Sequence, residues 1–203
     1  MAERLILARH GDPDSDSLGK YLGSTDVALS DLGLRQADAL ANRMRISPPD
    51  YLVVSPMMRT RQTADAMAMP YDIIDSIREV DFGLWEHLPY GDIAKFSTQE
   101  DIEKWSTFDM DFTFPDGENL GKFVQRVTTA ADDLAAHPAS TVMVMAHGGV
   151  LRFMITHLIG VPHSSFWSFR IDYASLTTIE LSDGFGTLAC HNDINHLCDL
   201  EGD

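Results

Sequence analysis

Three short stretches of the sequence set cations, imidazoles or glycines just beyond an apolar run. "LILARHGDP" (5–13) ends in Arg9 and His10, "VVSPMMRTRQTA" (53–64) carries Arg59, and "VMVMAHGGV" (142–150) ends in His147, Gly148 and Gly149. Arginine and histidine together suit a doubly charged tetrahedral anion, because guanidinium forks bind phosphate oxygens in pairs. A neutral imidazole among such cations is a competent nucleophile toward phosphorus. Nearby positive charge lowers its pKa and keeps it deprotonated at neutral pH. The two glycines lead into a helix start, which offers backbone N–H groups to an anion. This chemistry needs no carboxylate cage for a metal, since arginines can carry the transition-state charge.

These residues can act together only if the fold brings them to one place. "RLILA" (4–8), "YLVVSP" (51–56), "YDIID" (71–75) and "STVMVMAH" (140–147) read as strands, the first and last as buried ones. Helices are expected from an N-cap at Ser30 to about Arg45, over 57–68, from Asn119 through Leu134, and from Gly148 to about Leu158. In the first, Leu32, Ala37, Leu40, Ala41 and Met44 recur at helical spacing. Residues 174–181 and 185–191 form an expected hairpin around Asp183-Gly184. The alternation predicts an α/β three-layer sandwich with a mostly parallel central sheet, as one domain over 1–203. In such folds ligands gather beyond the carboxyl ends of the strands, where Arg9, His10 and His147 fall. Residues 82–118, rich in aromatics and acids with weak periodicity, read as an irregular, lid-like insertion.

Composition narrows the function classes. The formal net charge of −16 disfavours nucleic acid and anionic membranes as partners, but leaves a small phosphate ester open if cations gather locally. Eleven of the fifteen basic residues are arginine, the better residue for forked contacts. The longest apolar stretch (142–161) is broken by glycines, Arg152 and histidines, so no membrane span is expected. Two cysteines make no disulfide framework, and a cytoplasmic protein, monomer or homodimer, is expected. "CHNDINHLC" admits a zinc reading through Cys190, His191, His196 and Cys198.

Six ordered segments resemble the histidine phosphatase superfamily, which includes phosphoglycerate mutases and many small phosphatases. "LILARHGDP" resembles its R-H-G signature, and "STDVALSDLGLRQADAL" the segment that follows. "VVSPMMRTRQTA" resembles S-S-P-L-x-R-A-x-Q-T-A, and "REVDFGLWE" resembles R-E-x-x-F-G-x-W-E. "FPDGENLGKFVQRV" resembles P-x-G-E-S followed by R-V, and "VMVMAHGGVLRFM" resembles V-x-H-G-G-x-I-R; the ending "HNDINHL" also fits and explains that cluster without metal. The resemblance implies a phosphoglycerate mutase-like fold and a phosphatase without cofactor or metal. It implies His10 as the phosphoryl acceptor, with Arg9, Arg59, His147 and Gly148 holding phosphoryl oxygens. Glu79 would be general acid and then base, with Asp81 and Glu86 as nearby alternatives. Arg61 and Arg152 would be structural or peripheral.

Two departures stand out. "RHGDPDSDS" replaces the common R-H-G-E-T, with Asp16 near the place of a later asparagine, so a phosphate contact is expected from Ser24 or Thr25 instead. "WEH" replaces W-E-G at Glu86-His87, which would change the turn into the lid. Within the superfamily, the lid size and short chain look most like α-ribazole phosphate phosphatases of cobalamin assembly. The alternatives are a phosphoglycerate mutase, whose longer lid and R-H-G-E-S-x-W-N start are missing, and a non-catalytic phosphate-ester binder.

Overall fold

Alternation along the first strand sets the architecture. In the computed structural model, which describes residues 1–13, 19–182 and 184–200, "RLILAR" forms β1 (Arg4–Arg9). Leu5 and Leu7 pack into one hydrophobic cluster, Ile6 and Ala8 into another. A strand that is apolar on both sides must be covered on both sides, and helices do this.

On one face lie α1 (Asp31–Met44) and α2 (Met58–Asp65), whose Leu40, Ala41, Met44 and Ala64 join Ile6 and Ala8. On the other lie α4 (Leu120–Ala135) and α5 (Gly148–Leu158), with Phe123, Val127, Leu151 and Ile155 against Leu5 and Leu7. Between α2 and α4 runs the 82–118 segment, which holds α3 (Gln99–Ser106) and two single turns of tighter helix.

The remaining strands are β2 (Tyr51–Val54), β3 (Asp72–Ile73), β4 (Thr141–Ala146), β5 (Leu176–Ser182) and β6 (Phe185–Asp193). The sheet order is β3-β2-β4-β1-β5-β6. β1, β2, β3 and β4 are mutually parallel, while β5 runs antiparallel to both β1 and β6. The three-layer α/β fold with a mostly parallel sheet is thus present.

Several boundaries differ from the sequence expectation. The third strand spans two residues rather than 71–75, because both are exposed at the sheet edge and pair with β2 alone. The second helix stops at Asp65, short of 68, where Ala68 takes a left-handed φ of 52°. In α1, Leu32 faces solvent and Gly33 takes the inward place. A Cβ on Gly33 would overlap the Asp12 carbonyl, so the loop after His10 rests directly on α1. The hairpin closes through Ser182 and Phe185; Asp183 lies outside the described residues. No described helix is long and apolar enough to cross a membrane.

Candidate active site

Strand register assembles the site. Arg9 of β1 pairs with Ala146 of β4, so His10 and His147 leave the sheet side by side with ring centroids 5.1 Å apart. The His10 N–H donates to the Ala146 carbonyl at 3.1 Å. Val54 pairs with Met145, which sets Ser55 beside His147 and brings α2, with Arg59 in its first turn, to the same edge.

The hydrogen bonds assign the protons on both rings. His10 Nδ1 lies 2.7 Å from the Gly11 carbonyl oxygen. A carbonyl can only accept, so Nδ1 carries the proton and Nε2 keeps its lone pair. Burial, then the charges of Arg59 and Arg9, hold the His10 pKa well below its ordinary value, against the pull of the Gly11 bond. The ring is therefore neutral at neutral pH. Arg59 Nε donates to His147 Nδ1 at 3.2 Å. His147 must then carry its proton on Nε2 and donate to Ser55 Oγ at 2.7 Å. Burial, followed by Arg59, His10, Arg9 and Arg126, lowers the His147 pKa well below its ordinary value.

The arginines differ in how they are held. Arg59 is fully buried, and its Nη1 and Nη2 donate to the carbonyls of Thr25 and Gly23 at 2.9 and 2.8 Å. With the bond to His147, three of its five N–H groups are engaged. Arg9 Nη1 donates to the Ile171 carbonyl at 2.6 Å, and its guanidinium carbon sits 3.7 Å from the centroid of Tyr173. Arg9 Nε is buried with no partner among the described residues. It lies 3.7 Å from where a Cβ on Gly148 would be, at the first turn of α5. That helix begins after His147 without a cap from its side chain; of its first N–H groups, that of Gly149 is taken by Glu79, and that of Gly148 lies open to an anion at the positive end.

Glu79 closes the opposite side. It is buried, and its two oxygens accept from Val80 N–H and Gly149 N–H at 3.0 Å each. A Cβ on Gly149 would lie 2.5 Å from Glu79 Oε1, so glycine there lets the carboxylate reach the helix start. The other two candidate carboxylates have separate work. Glu86 accepts from the backbone N–H groups of Gly23, Ser24 and Phe82, and Asp81 accepts from Gly83 N–H and Ser24 Oγ.

The hydroxyls expected on phosphate have carboxylate partners instead. Ser24 Oγ donates toward Asp81 and Glu86, and Thr25 Oγ1 donates to Glu86 at 2.9 Å. The two residues instead close the 23–25 loop over Arg59. Asp16 lies outside the described residues. His87 adopts a φ of 62°, the conformation glycine would supply, so the W-E-G turn survives the substitution at a cost in backbone strain.

Above His10 opens a cavity of about 490 Å³ with Arg9, His10, Glu79, Gly148 and Gly149 on its floor. Phe82, Tyr90, Trp105 and Phe114 of the lid-like segment form one wall, and Phe153, Phe166, Trp167 and Tyr173 another. The lid also packs on itself, with fully buried Trp85 against Phe112 and Phe114. Arg152, read from sequence as peripheral, lines this cavity with Lys20, its Nε anchored to the Phe169 carbonyl at 2.7 Å. Arg61 does not line it. Among the described residues no three histidine, cysteine, aspartate or glutamate side chains gather as a metal site; His196 bonds the Ala174 carbonyl instead. Tyr173 went unmarked in the sequence, where a lone aromatic before a strand gives no signal.

A model of the histidine phosphatase superfamily (branch 1) matches residues 5–194. The chain belongs to that superfamily. It is 30% identical over 197 residues to the adenosylcobalamin/alpha-ribazole phosphatase of Salmonella typhimurium, covering 93% of this chain and 96% of that protein. It is 32% identical over 199 residues to phosphoserine phosphatase 1 of Hydrogenobacter thermophilus, covering 96% and 94%. The crystal structure of the alpha-ribazole phosphatase from Shigella flexneri superposes with a TM-score of 0.80 at 31% identity, over 94% of this chain and 96% of that one. The protein is a phosphatase of this superfamily.

Proposed function

We propose that this histidine phosphatase hydrolyses a small phosphate ester through a phosphohistidine on His10, without a metal. The observation that carries the reading is the Gly11 carbonyl on His10 Nδ1, which directs the lone pair of Nε2 away from the backbone. Nε2 attacks phosphorus, and the bond from phosphorus to the leaving oxygen breaks. Arg9, Arg59 and the Gly148 end of α5 take up the charge on the phosphoryl oxygens, and His147 joins them by exchanging its Nε2–H from Ser55 Oγ to a phosphoryl oxygen. Protonated Glu79 gives its proton to the departing alkoxide. The resulting carboxylate then takes a proton from water, whose oxygen attacks phosphorus as the phosphorus–nitrogen bond breaks. Inorganic phosphate leaves, and neutral His10 is restored.

The cavity supports a bulky, aromatic-bearing alcohol as the leaving group. A three-carbon alcohol such as that of phosphoserine or phosphoglycerate would leave much of its aromatic wall uncovered. Together with the α-ribazole phosphatase relatives, this favours α-ribazole phosphate as substrate. The test is kcat/KM for α-ribazole phosphate, phosphoserine and phosphoglycerate in chelator, with acid quenching to trap labelled protein. The expected result is acid-labile phosphate on the enzyme and the highest kcat/KM for α-ribazole phosphate. Activity lost in chelator and restored by zinc or magnesium would overturn the metal-free mechanism. Phosphoserine or phosphoglycerate ranking first would overturn the substrate.

A further inference from the structure

We propose that Arg126, on α4 and outside the phosphoryl site, is a positioning residue that holds Glu79 in its proton-transfer geometry; this rests on the reading of Glu79 as general acid. Its Nη1 donates to the carbonyls of Ser76 and Arg78 at 2.9 and 2.6 Å. Its Nη2 donates to the Glu79 carbonyl at 3.3 Å and to Glu118 Oε2 at 2.9 Å, and its Nε donates to Glu118 Oε1 at 2.8 Å. A guanidinium has five N–H groups, and all five are engaged. Glu118 extends the hold past Glu79. Its Oε2 accepts from Asp81 N–H at 3.3 Å, and its own N–H donates to the Asp81 carbonyl at 2.9 Å.

The ends of the turn are tied by Arg78 N–H to the Asp75 carbonyl and by Trp85 N–H to the Phe82 carbonyl, but among the described residues the Arg78 and Glu79 carbonyls have no backbone donor. Residues 78–82 belong to no helix or strand, so their carbonyls have no ladder to join. One planar fork reaches two carbonyls on the N-terminal side of Glu79 and the Glu79 carbonyl itself, and its carboxylate partner grips Asp81 on the other side. Val80 N–H, which holds Glu79 Oε1, sits inside the gripped stretch. A shift of the turn therefore moves the acid itself. General acid catalysis works within hydrogen-bond reach, and a misplacement of about 1 Å can cost about a hundredfold.

The experiment is Arg126→Lys, Glu79→Gln and the double variant, read by single-turnover phosphorylation with an alkyl phosphate and with nitrophenyl phosphate. Lysine keeps the charge but offers three donors on a point, not a fork. Arg126→Lys is expected to slow phosphorylation about ten- to a hundredfold with the alkyl ester and no more than about threefold with nitrophenyl phosphate, whose leaving group hardly needs a proton. KM should stay near wild type. In the Glu79→Gln background the same change should add little on the alkyl ester. Equal losses on both esters, or a full additional loss without Glu79, would overturn the proposal and leave Arg126 as scaffold only. Glu79→Gln showing no dependence on the leaving group would instead overturn the assignment of the acid, and this proposal with it. If Arg126→Lys fails to fold, Glu118→Gln carries the test by the same criteria, with a smaller effect in the same direction.

Discussion

Two arginine-centred regions lie on either side of Glu79, and they keep opposite hydrogen-bond accounts. Around Arg126 every N–H has an acceptor. On the rim by His10, Arg59 engages three of five and Arg9 leaves a buried Nε without a partner among the described residues. An unmet buried donor costs about 1–3 kcal/mol; Arg61 and Arg78 each carry one as well, and what sets Arg9 apart is its place on the cavity floor beside His10. The saturated arginine has nothing left to offer a ligand, and the rim arginines keep N–H groups for the phosphoryl oxygens that the proposed mechanism gives them.

The comparison can be tested from its strongest consequence downward. His10→Ala should remove turnover and acid-labile phosphate while the fold persists, since no other rim group can accept the phosphoryl; circular dichroism and acid-quenched labelling check it. Arg59→Met should unmake both roles of the rim. It orphans the Gly23 and Thr25 carbonyls, for a stability loss of about 2–5 kcal/mol in urea unfolding. It should also abolish the thermal stabilisation that vanadate gives wild type, whereas Arg126→Lys should retain that stabilisation. The reverse pattern would exchange the two regions' roles.

Acid pH probes the rim next. The folded pKa values of His10 and His147 lie below those of the unfolded chain, so near and below about pH 6.5 the unfolded chain binds protons that the native one refuses. Stability therefore rises with pH up to that point and is lost as pH falls below it, by up to about 2.7 kcal/mol per pH unit for the pair. Urea titrations at pH 7.5, 6.5 and 5.5 should show this slope, and His10→Ala should reduce it. The smallest effect is expected at Arg152. Arg152 lines the cavity with its Nη1 3.2 Å from where a Cβ on Gly148 would lie, and Arg152→Ala is expected to raise KM several-fold with a smaller change in kcat.

What could be read beforehand follows from the range of each interaction. The buried face of α4, Leu120, Phe123, Val124, Val127, Ala130, Ala131 and Leu134, is the set its spacing predicts, and Asn119 caps it by accepting from Lys122 N–H. Both signals are local. The rim was legible because the strands end where polar residues begin, and parallel pairing brings such ends together. Arg126 was not read as part of the site, although Glu118 and Arg126 stand eight residues apart in a quoted motif. Its acceptors are backbone carbonyls nearly fifty residues away, which carry no side-chain signature. Ser24 and Thr25 illustrate a related reason: a hydroxyl suits phosphate and carboxylate alike, and only the fold shows that both reach Glu86.

The pairing of Arg9 with Ala146 has one more consequence. The separation of the two histidines is fixed by the spacing of neighbouring strands in the middle of the sheet. Four of the aromatic side chains that line the cavity, Phe82, Tyr90, Trp105 and Phe114, come from the 82–118 segment, which touches neither strand's register. Part of the cavity wall thus comes from a piece of chain separate from the two strands that set the histidines, while α5 contributes to both the floor and the wall. A laboratory graft of that segment should move selectivity while sparing hydrolysis only if it keeps Glu86, which holds the 23–25 loop, and Glu118, which holds Arg126.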